Sequence, residues 1–155
     1  MATVVEGFDG LEEFLVELGE EFDNIDWTPI LNKFLQDLET QHEVYFKSEI
    51  DPRGSKWAPL AQSTIARKGH MQILYETGRL RDSLQGRTGD SIREVSSGEG
   101  QESFLVFGTS VPYAIYHQDG TARMAQREHV GLNETLGDMF AEQVADAAAK
   151  TLAEG

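Results

Sequence analysis

The hydrophobic period changes along this chain, and that change limits the folds open to it. Apolar side chains recur at helical spacing in residues 28–48 and again in residues 133–152. Between these stretches, residues 91–95 (SIREV) and 102–108 (ESFLVFG) are separated by a turn-rich segment, which predicts an antiparallel hairpin. The order of helices, hairpin and helix predicts an α+β fold. We expect a single domain over residues 1–155, with amphipathic helices packed on a small, mainly antiparallel sheet.

Capping residues set the expected helix boundaries. Thr28 followed by Pro29 predicts the start of the long helix, because proline suits the first helical turn. Gly69 ends a short helix, Thr77 caps another that runs to about residue 86, and Asn133 caps the last helix. The side chains expected to face the core from the two long helices are Ile30, Leu31, Phe34, Leu35, Leu38, Tyr45, Leu136, Met139, Phe140 and Val144.

Two further elements are predicted from the same signals. Asp9 stands three residues before Glu12, the spacing of a reciprocal helix cap, so residues 10–22 read as an amphipathic helix. Residues 102–108 are apolar nearly throughout, which predicts a central strand covered on both faces.

Charge is distributed unevenly along the chain. The formal net charge is −14, with 13 acids and 2 bases in residues 1–50 but 8 bases and 4 acids in residues 51–93. A polyanion would be repelled by most of this surface, so free nucleic acid is not expected as the main partner. The uneven charge fits either an ordinary solvated acidic face or an acidic patch that meets the basic segment of another copy. No apolar run approaches the length of a membrane helix, and no secretory signal begins the chain.

The stretch from 111 to 121, VPYAIYHQDGT, is the strongest candidate for chemistry. A catalytic interpretation makes His117 a general base oriented by Asp119, but no serine or cysteine stands nearby in a nucleophile setting. The chain has no cysteine, and its four histidines are scattered without metal-ligand spacing. No phosphate-binding loop appears. We therefore predict no catalytic site, no cofactor and no metal.

A structural interpretation of the same stretch explains more of its residues. Pro112 can open a short helix on which Tyr113, Tyr116 and His117 share one face, and Gly120 supplies the left-handed residue that ends it. The tyrosines suit packing against a sheet or a partner. His117 is then a hydrogen-bonded structural histidine.

Four motifs in order resemble the phage virion-morphogenesis, or tail-completion, family over about residues 45–133. They are DPRGSKWAPLAQSTIARK, ILYETGRLRDS, FGTSVPYAIYHQDGT and AQREHVGL. The residues that carry the resemblance are Trp57, Leu60, Thr64, Ile73, Leu74, Thr77, Gly78, Leu80, Ser83, Tyr113, Ala114, His117, Gln118, Gly120 and Arg127. After Arg127, Glu128 and His129 stand where the family usually has an aromatic or aliphatic residue.

The resemblance implies a non-enzymatic virion protein, assembled in the host cytoplasm and placed at the head–tail junction or tail end. Such proteins complete the tail or neck so that head and tail join. It implies neighbours among the neck and tail proteins, a homo-oligomeric ring with a hexamer favoured, and DNA passing through without specific binding. Two alternatives stay open: a transient cytoplasmic assembly factor, and a hydrolase using His117 and Asp119.

Basic residues are the expected subunit contacts. The polar segment 119–129 shows no periodicity and is predicted to be a flexible loop that orders against a neighbour. The arginines expected near a subunit interface are Arg79, Arg81, Arg87, Arg123 and Arg127. Trp57 is expected to be a buried packing anchor.

Overall fold

The computed structural model describes residues 25–98 and 102–154, and within them the chain forms five helices and one two-stranded sheet. Helix α1 spans Trp27–Ser48, α2 Gln62–Lys68 and α3 Arg79–Ser83. Strands β1 (Ser91–Ser96) and β2 (Phe104–Thr109) pair as an antiparallel hairpin. Helices α4 (Ala114–Asp119) and α5 (Glu134–Glu154) follow. The predicted α+β fold class is confirmed. The helix predicted at residues 10–22 lies outside the described residues.

The helix boundaries follow the predicted signals with small shifts. Helix α1 begins at Trp27, and the cap is Asp26, whose carboxylate accepts the Thr28 amide at 3.0 Å. Pro29 still lies in the first turn, where a missing N–H costs nothing because the first amides have no partner within the helix. The side chain of Asn133 accepts the Leu136 amide at 2.9 Å, so the predicted cap of α5 is confirmed.

The described residues form two compact units, each with its own core. The first unit comprises residues 25–38, 93–98, 102–106 and 132–154. Here the rings of Phe34 and Phe140 lie 4.7 Å apart, and the buried carboxylate of Asp37 is bonded by Lys33 and Gln143. The buried apolar residues of this unit are Ile25, Trp27, Ile30, Leu31, Phe34, Leu35, Leu38, Leu136, Phe140 and Val144. Met139, predicted to face the core, is partly exposed instead.

The second unit comprises residues 39–92 and 107–131 and holds all the family-like motifs. Its core cluster consists of Tyr45, Phe46, Trp57, Ile73, Leu80, Leu84, Val111 and Ala114. Leu60, Leu74, Phe107 and Val130 pack against this cluster from partly buried positions.

The prediction of a central, doubly covered strand is wrong. Among the described residues, β2 pairs with β1 alone, and its Phe104 and Val106 side chains are 37% and 41% exposed. Successive side chains of a strand point to opposite faces, and the face that carries Phe104 and Val106 is left partly open. Phe107 takes the buried side, where its ring lies 4.6 Å from the ring of His42.

Candidate functional site

Trp57 is the anchor of the loop between α1 and α2. Its side chain is 5% exposed and packs edge-on against Phe46, with ring centroids 5.3 Å apart. The indole N–H donates to the backbone carbonyl of Glu128 at 2.7 Å. Upstream, the carboxylate of Asp51 accepts the amides of Arg53 and Ser55, which folds the loop so that Trp57 turns inward. The predicted burial of Trp57 is confirmed.

Arg127 binds the same loop through the backbone. Its guanidinium donates to the carbonyls of Ala58 at 2.8 Å and Pro59 at 3.0 Å, and its amide donates to the carbonyl of His117 at 2.7 Å. Burial lowers the pKa of Arg127. Three segments of the chain therefore meet at Arg127. This residue, predicted to lie at a subunit interface, also makes contacts within its own subunit.

Gln118 and Gly120 shape the chain that leaves α4. The side-chain oxygen of Gln118 accepts the amides of His129 (3.0 Å) and Val130 (3.1 Å), while its Nε2 donates to the Val130 carbonyl at 2.9 Å. The side-chain amide of Gln118 therefore makes hydrogen bonds to His129 and Val130 of the kind that a neighbouring strand would otherwise make. Gly120 has φ +72° and ψ 170°, so φ is positive as predicted, but the residue is not in the left-handed helical region.

His117 and Asp119 do not form the pair that the hydrolase alternative requires. No hydrogen bond joins them among the described residues; Asp119 is exposed, and the buried Nδ1 of His117 has no hydrogen-bond partner. The Nδ1 atom therefore makes none of the hydrogen bonds predicted for His117, and the structural role of this histidine stays a prediction. Burial lowers the pKa of His117, and the nearby cations Arg127 and Lys68 lower it further. Tyr113 packs edge-on against His117 at 6.2 Å, which confirms their shared face.

The hydrogen-bonded structural histidines are two others. His129 is buried, and its Nδ1 lies 3.0 Å from the Arg127 carbonyl, while its ring packs edge-on against Phe46. His129 therefore fills, with an aromatic ring, the region where the family usually has an aromatic or aliphatic residue. His42 accepts the Gly131 amide at 3.2 Å. Sequence reasoning missed both roles because Phe46, on which His129 packs, and Gly131, which bonds His42, lie far away along the chain.

The remaining motif residues include three leucines and the two residues that precede α3, Thr77 and Gly78. Leu80 is buried and Leu60 and Leu74 are partly buried, so these three contribute to packing. Gly78 directly precedes the helix, and the Arg79 amide lies 3.4 Å from the Thr77 hydroxyl, a long cap contact. The helix ends at Ser83, earlier than predicted.

The predicted interface arginines differ in how they are paired. Arg79 makes a bidentate bond to Asp90, at 2.8 and 3.0 Å, and this bond lowers the pKa of Asp90. Arg81 pairs with Asp82 at 2.8 Å and lies over the Tyr75 ring. Arg87 has only distant acids, Asp82 at 3.8 Å and Glu43 at 4.0 Å. Arg123 has no ion pair in the part of the chain that the structure describes.

Of the predicted interface arginines, Arg79, Arg123 and Arg127 line a cleft of about 570 Å³ within the second unit, hereafter the basic cleft. Its walls include five cations and one acid, in a protein whose formal net charge is −14. The cations are Arg67, Lys68, Arg79, Arg123 and Arg127, and the acid is Glu76. Arg67 and Lys68 were not singled out from the sequence, because in a short helix they look like solvated charges.

The charged groups of the cleft influence each other. Burial lowers the pKa of Lys68, and the guanidinium groups of Arg67 and Arg127 lower it further, against an opposing effect of Glu76. The cleft therefore holds like charges close together, which favours an anionic occupant.

Residues 25–98 and 102–154 lack both the side-chain clusters that a metal site requires and the long apolar helix that a helical membrane span requires. This part of the chain holds no cluster of histidine and carboxylate side chains able to bind a metal ion. None of its helices combines the length and apolar character needed to span a bilayer.

Comparison with known proteins gives one match. The model of the phage virion morphogenesis family matches residues 8–147, which is most of the chain. No curated protein and no solved structure matches it.

Proposed function

The chain belongs to the phage virion morphogenesis family, and from that membership we propose that it is a structural protein of the head–tail junction. It acts as a tail-completion, terminator or neck protein, and copies of it form the ring through which head and tail join. The family match is the observation that carries this proposal. A role in building the phage particle, structural or in assembly, follows from the family itself.

The charge pattern supports assembly into a ring. A ring closes when one patch of a subunit meets a different patch on the next subunit, repeated around an axis. This chain has 13 acids and 2 bases in residues 1–50 but 8 bases and 4 acids in residues 51–93. Opposite patches on one chain suit that arrangement. We propose six copies, with acidic residues along a central passage that lets DNA through without binding it.

Arginines around α3 are the proposed boundary with the next subunit. Arg79 and Arg81 already bond Asp90 and Asp82, but the side chain of Arg79 remains 47% exposed and that of Arg81 34% exposed. A guanidinium has five donors, so a bidentate bond leaves donors for a neighbour. Arg87, with acids only at 3.8 Å or beyond, has its charge largely available.

The role is proposed to be non-catalytic. His117 and Asp119 make no contact that would orient a general base, and the described residues hold no cluster of metal ligands. His117 is one of the residues that line the basic cleft, although its unpartnered Nδ1 atom is buried.

Complementation of a phage that lacks this gene tests the proposal. The double variant R79E/R81E should fold, as judged by its circular dichroism and melting curve, but should reduce the number of joined head–tail particles. K150E is the matched control, because it reverses an exposed charge that does not line the cleft. Normal joining by the folded double variant would overturn the boundary assignment.

Two further observations test the function itself. Mass spectrometry of purified particles should find the protein, whereas its absence from them would support the transient assembly factor. Without the gene, heads and tails should accumulate unjoined. Normal joined particles in that phage would overturn the proposed function.

A further inference from the structure

Three cations of the basic cleft make no direct ion pair within the part of the chain that the structure describes. Lys68 donates to the backbone carbonyl of Gln72, and Arg127 donates only to carbonyls of the chain. The Arg123 side chain has no ion pair among the described residues. Arg67 and Arg79, by contrast, are paired with Glu76 and Asp90. Among the described residues, no direct ion pair neutralises Lys68, Arg123 or Arg127, although Glu76 is close enough to act on the charge of Lys68.

The same cleft has apolar walls. Leu60, Leu74 and Met124 line it, together with the ring of Tyr113, which is 39% exposed. An occupant that only carried charge would leave these side chains in contact with water. The lining fits a ligand with acidic groups and apolar side chains together, as on an amphipathic acidic helix.

The chain itself contains a segment of that chemistry. Residues 1–24, the acidic N-terminal segment, hold eight acids and no lysine or arginine. Its apolar residues Leu11, Phe14, Leu15, Leu18 and Phe22 recur at helical spacing. DNA is the less suitable occupant, because a chain of net charge −14 repels a polyanion.

We propose that the basic cleft of one copy binds the acidic N-terminal segment of a neighbouring copy. The inference rests on the proposed ring, in which each subunit offers one patch and receives another. Each cleft is then filled by the next subunit around the ring. The contact is salt-sensitive, since part of its attraction is between exposed charges, which salt screens over about 8 Å at physiological strength.

Disulfide trapping between two populations of the full chain tests this contact. The protein has no cysteine, so only introduced thiols can pair. One population carries Ala125→Cys, on the lining of the cleft, and the other Leu18→Cys, in the acidic N-terminal segment. Mixed and oxidised at low salt, they should give a cross-linked heterodimer. The matched control replaces Ala125→Cys by Ala149→Cys, an exposed alanine of α5 that does not line the cleft.

Charge reversal shows whether the cleft itself makes the contact. Lys68→Glu with Arg123→Glu, added to the Ala125→Cys chain, should lower the heterodimer yield by roughly tenfold, because attraction becomes repulsion at two positions. Glu13→Lys with Glu17→Lys in the other chain should restore it. Equal yields from Ala125→Cys and Ala149→Cys, or a yield unaffected by the reversal, would overturn the proposal.

Other occupants give different results. A chain carrying both Ala125→Cys and Leu18→Cys that cross-links internally, with no heterodimer in the mixture, would show binding within one copy and overturn the proposal. Binding of labelled DNA that is lost with Lys68→Glu and Arg123→Glu would assign the cleft to DNA instead. Cross-linking without any joining defect in the gene-deleted phage would leave the cleft contact intact and reject the ring function. A joining defect without cross-linking would support the ring function and overturn the cleft contact.

Discussion

The indole N–H of Trp57 donates to the backbone carbonyl of Glu128, 2.7 Å away and 71 positions later in the chain. One side chain therefore both fills the core of the second unit and holds the segment that follows α4. Packing and hydrogen bonding at Trp57 can be separated by substitution, because phenylalanine keeps a ring but has no N–H donor.

Trp57→Ala should lower the free energy of unfolding by about 3–5 kcal/mol, through loss of buried surface and the cavity left behind. Trp57→Phe should cost less, about 1–3 kcal/mol, chiefly from the unpaired Glu128 carbonyl. Urea denaturation of both variants measures the difference. An unchanged midpoint for Trp57→Ala would show that the buried position does not contribute to stability.

Gly120 should tolerate substitution much less well than Gly54. Both have positive φ, at +72° and +86°, but a Cβ on Gly120 would lie 2.9 Å from the Gln126 amide nitrogen, whereas one on Gly54 meets nothing within 4 Å. Gly54→Ala therefore carries backbone strain alone, about 1–2 kcal/mol. Gly120→Ala adds a steric clash with backbone, so its melting temperature should fall clearly further. Equal melting temperatures would mean that the segment near Gln126 can move aside.

Stability should fall in mild acid because of His129. Burial lowers the pKa of this histidine from 6.5 to about 4, against a small opposing effect of its bond to the Arg127 carbonyl. Between these values the unfolded chain binds a proton that the folded chain does not, so the free energy of unfolding decreases as pH falls through this window, by up to about 3 kcal/mol. Urea titrations at pH 7 and pH 5 measure the change. His129→Gln should reduce the change, leaving the smaller part that comes from His117, whose pKa burial also lowers. A pH dependence unaffected by His129→Gln would assign it to another group.

The predicted flexibility of residues 119–129 remains a prediction, and the structure divides it into two parts. The backbone N–H groups of Arg127, His129 and Val130 donate hydrogen bonds to His117 and Gln118. Those of Ala122 and Gln126 donate none among the described residues. Amide hydrogen exchange in the free protein should be fast at Ala122 and Gln126 and slower at the other three.

Gln118→Ala should speed exchange at His129 and Val130, since both amides lose their acceptor. Gln72→Ala is the control, because the Gln72 side chain is exposed and makes no hydrogen bond in the described chain. Uniformly slow exchange through the whole segment would contradict the predicted loop.

Local periodicity was enough to predict the helices, because the apolar stripe of α1 and the caps at Gly69 and Asn133 depend only on residues close together in the sequence. The burial of β2 was not predictable in the same way. It depends on which elements pack on each face of the sheet, and these are not specified by the residues of the strand, two of which, Phe104 and Val106, are left exposed.

The site was predicted as a set of residues rather than as a set of contacts. The motifs pointed to Gln118 and Arg127, but their roles depend on partners such as Val130 and the carbonyl of Ala58, which no local pattern specifies. Lys68 escaped notice for the same reason. Its charge becomes informative only beside Arg127.

Distance along the chain also has a consequence for how this protein is made. The Tyr45 hydroxyl donates to the Gly131 carbonyl, 86 positions later, and the Gly131 amide donates to His42, 89 positions earlier. Synthesis at roughly 5–20 residues per second leaves Tyr45 and Trp57 waiting several seconds on the ribosome before their partners emerge. Such distant contacts also slow the folding that follows release, because long loops must close before they form. The nascent chain therefore displays its largest aromatic side chains to the host's chaperones before it can bury them.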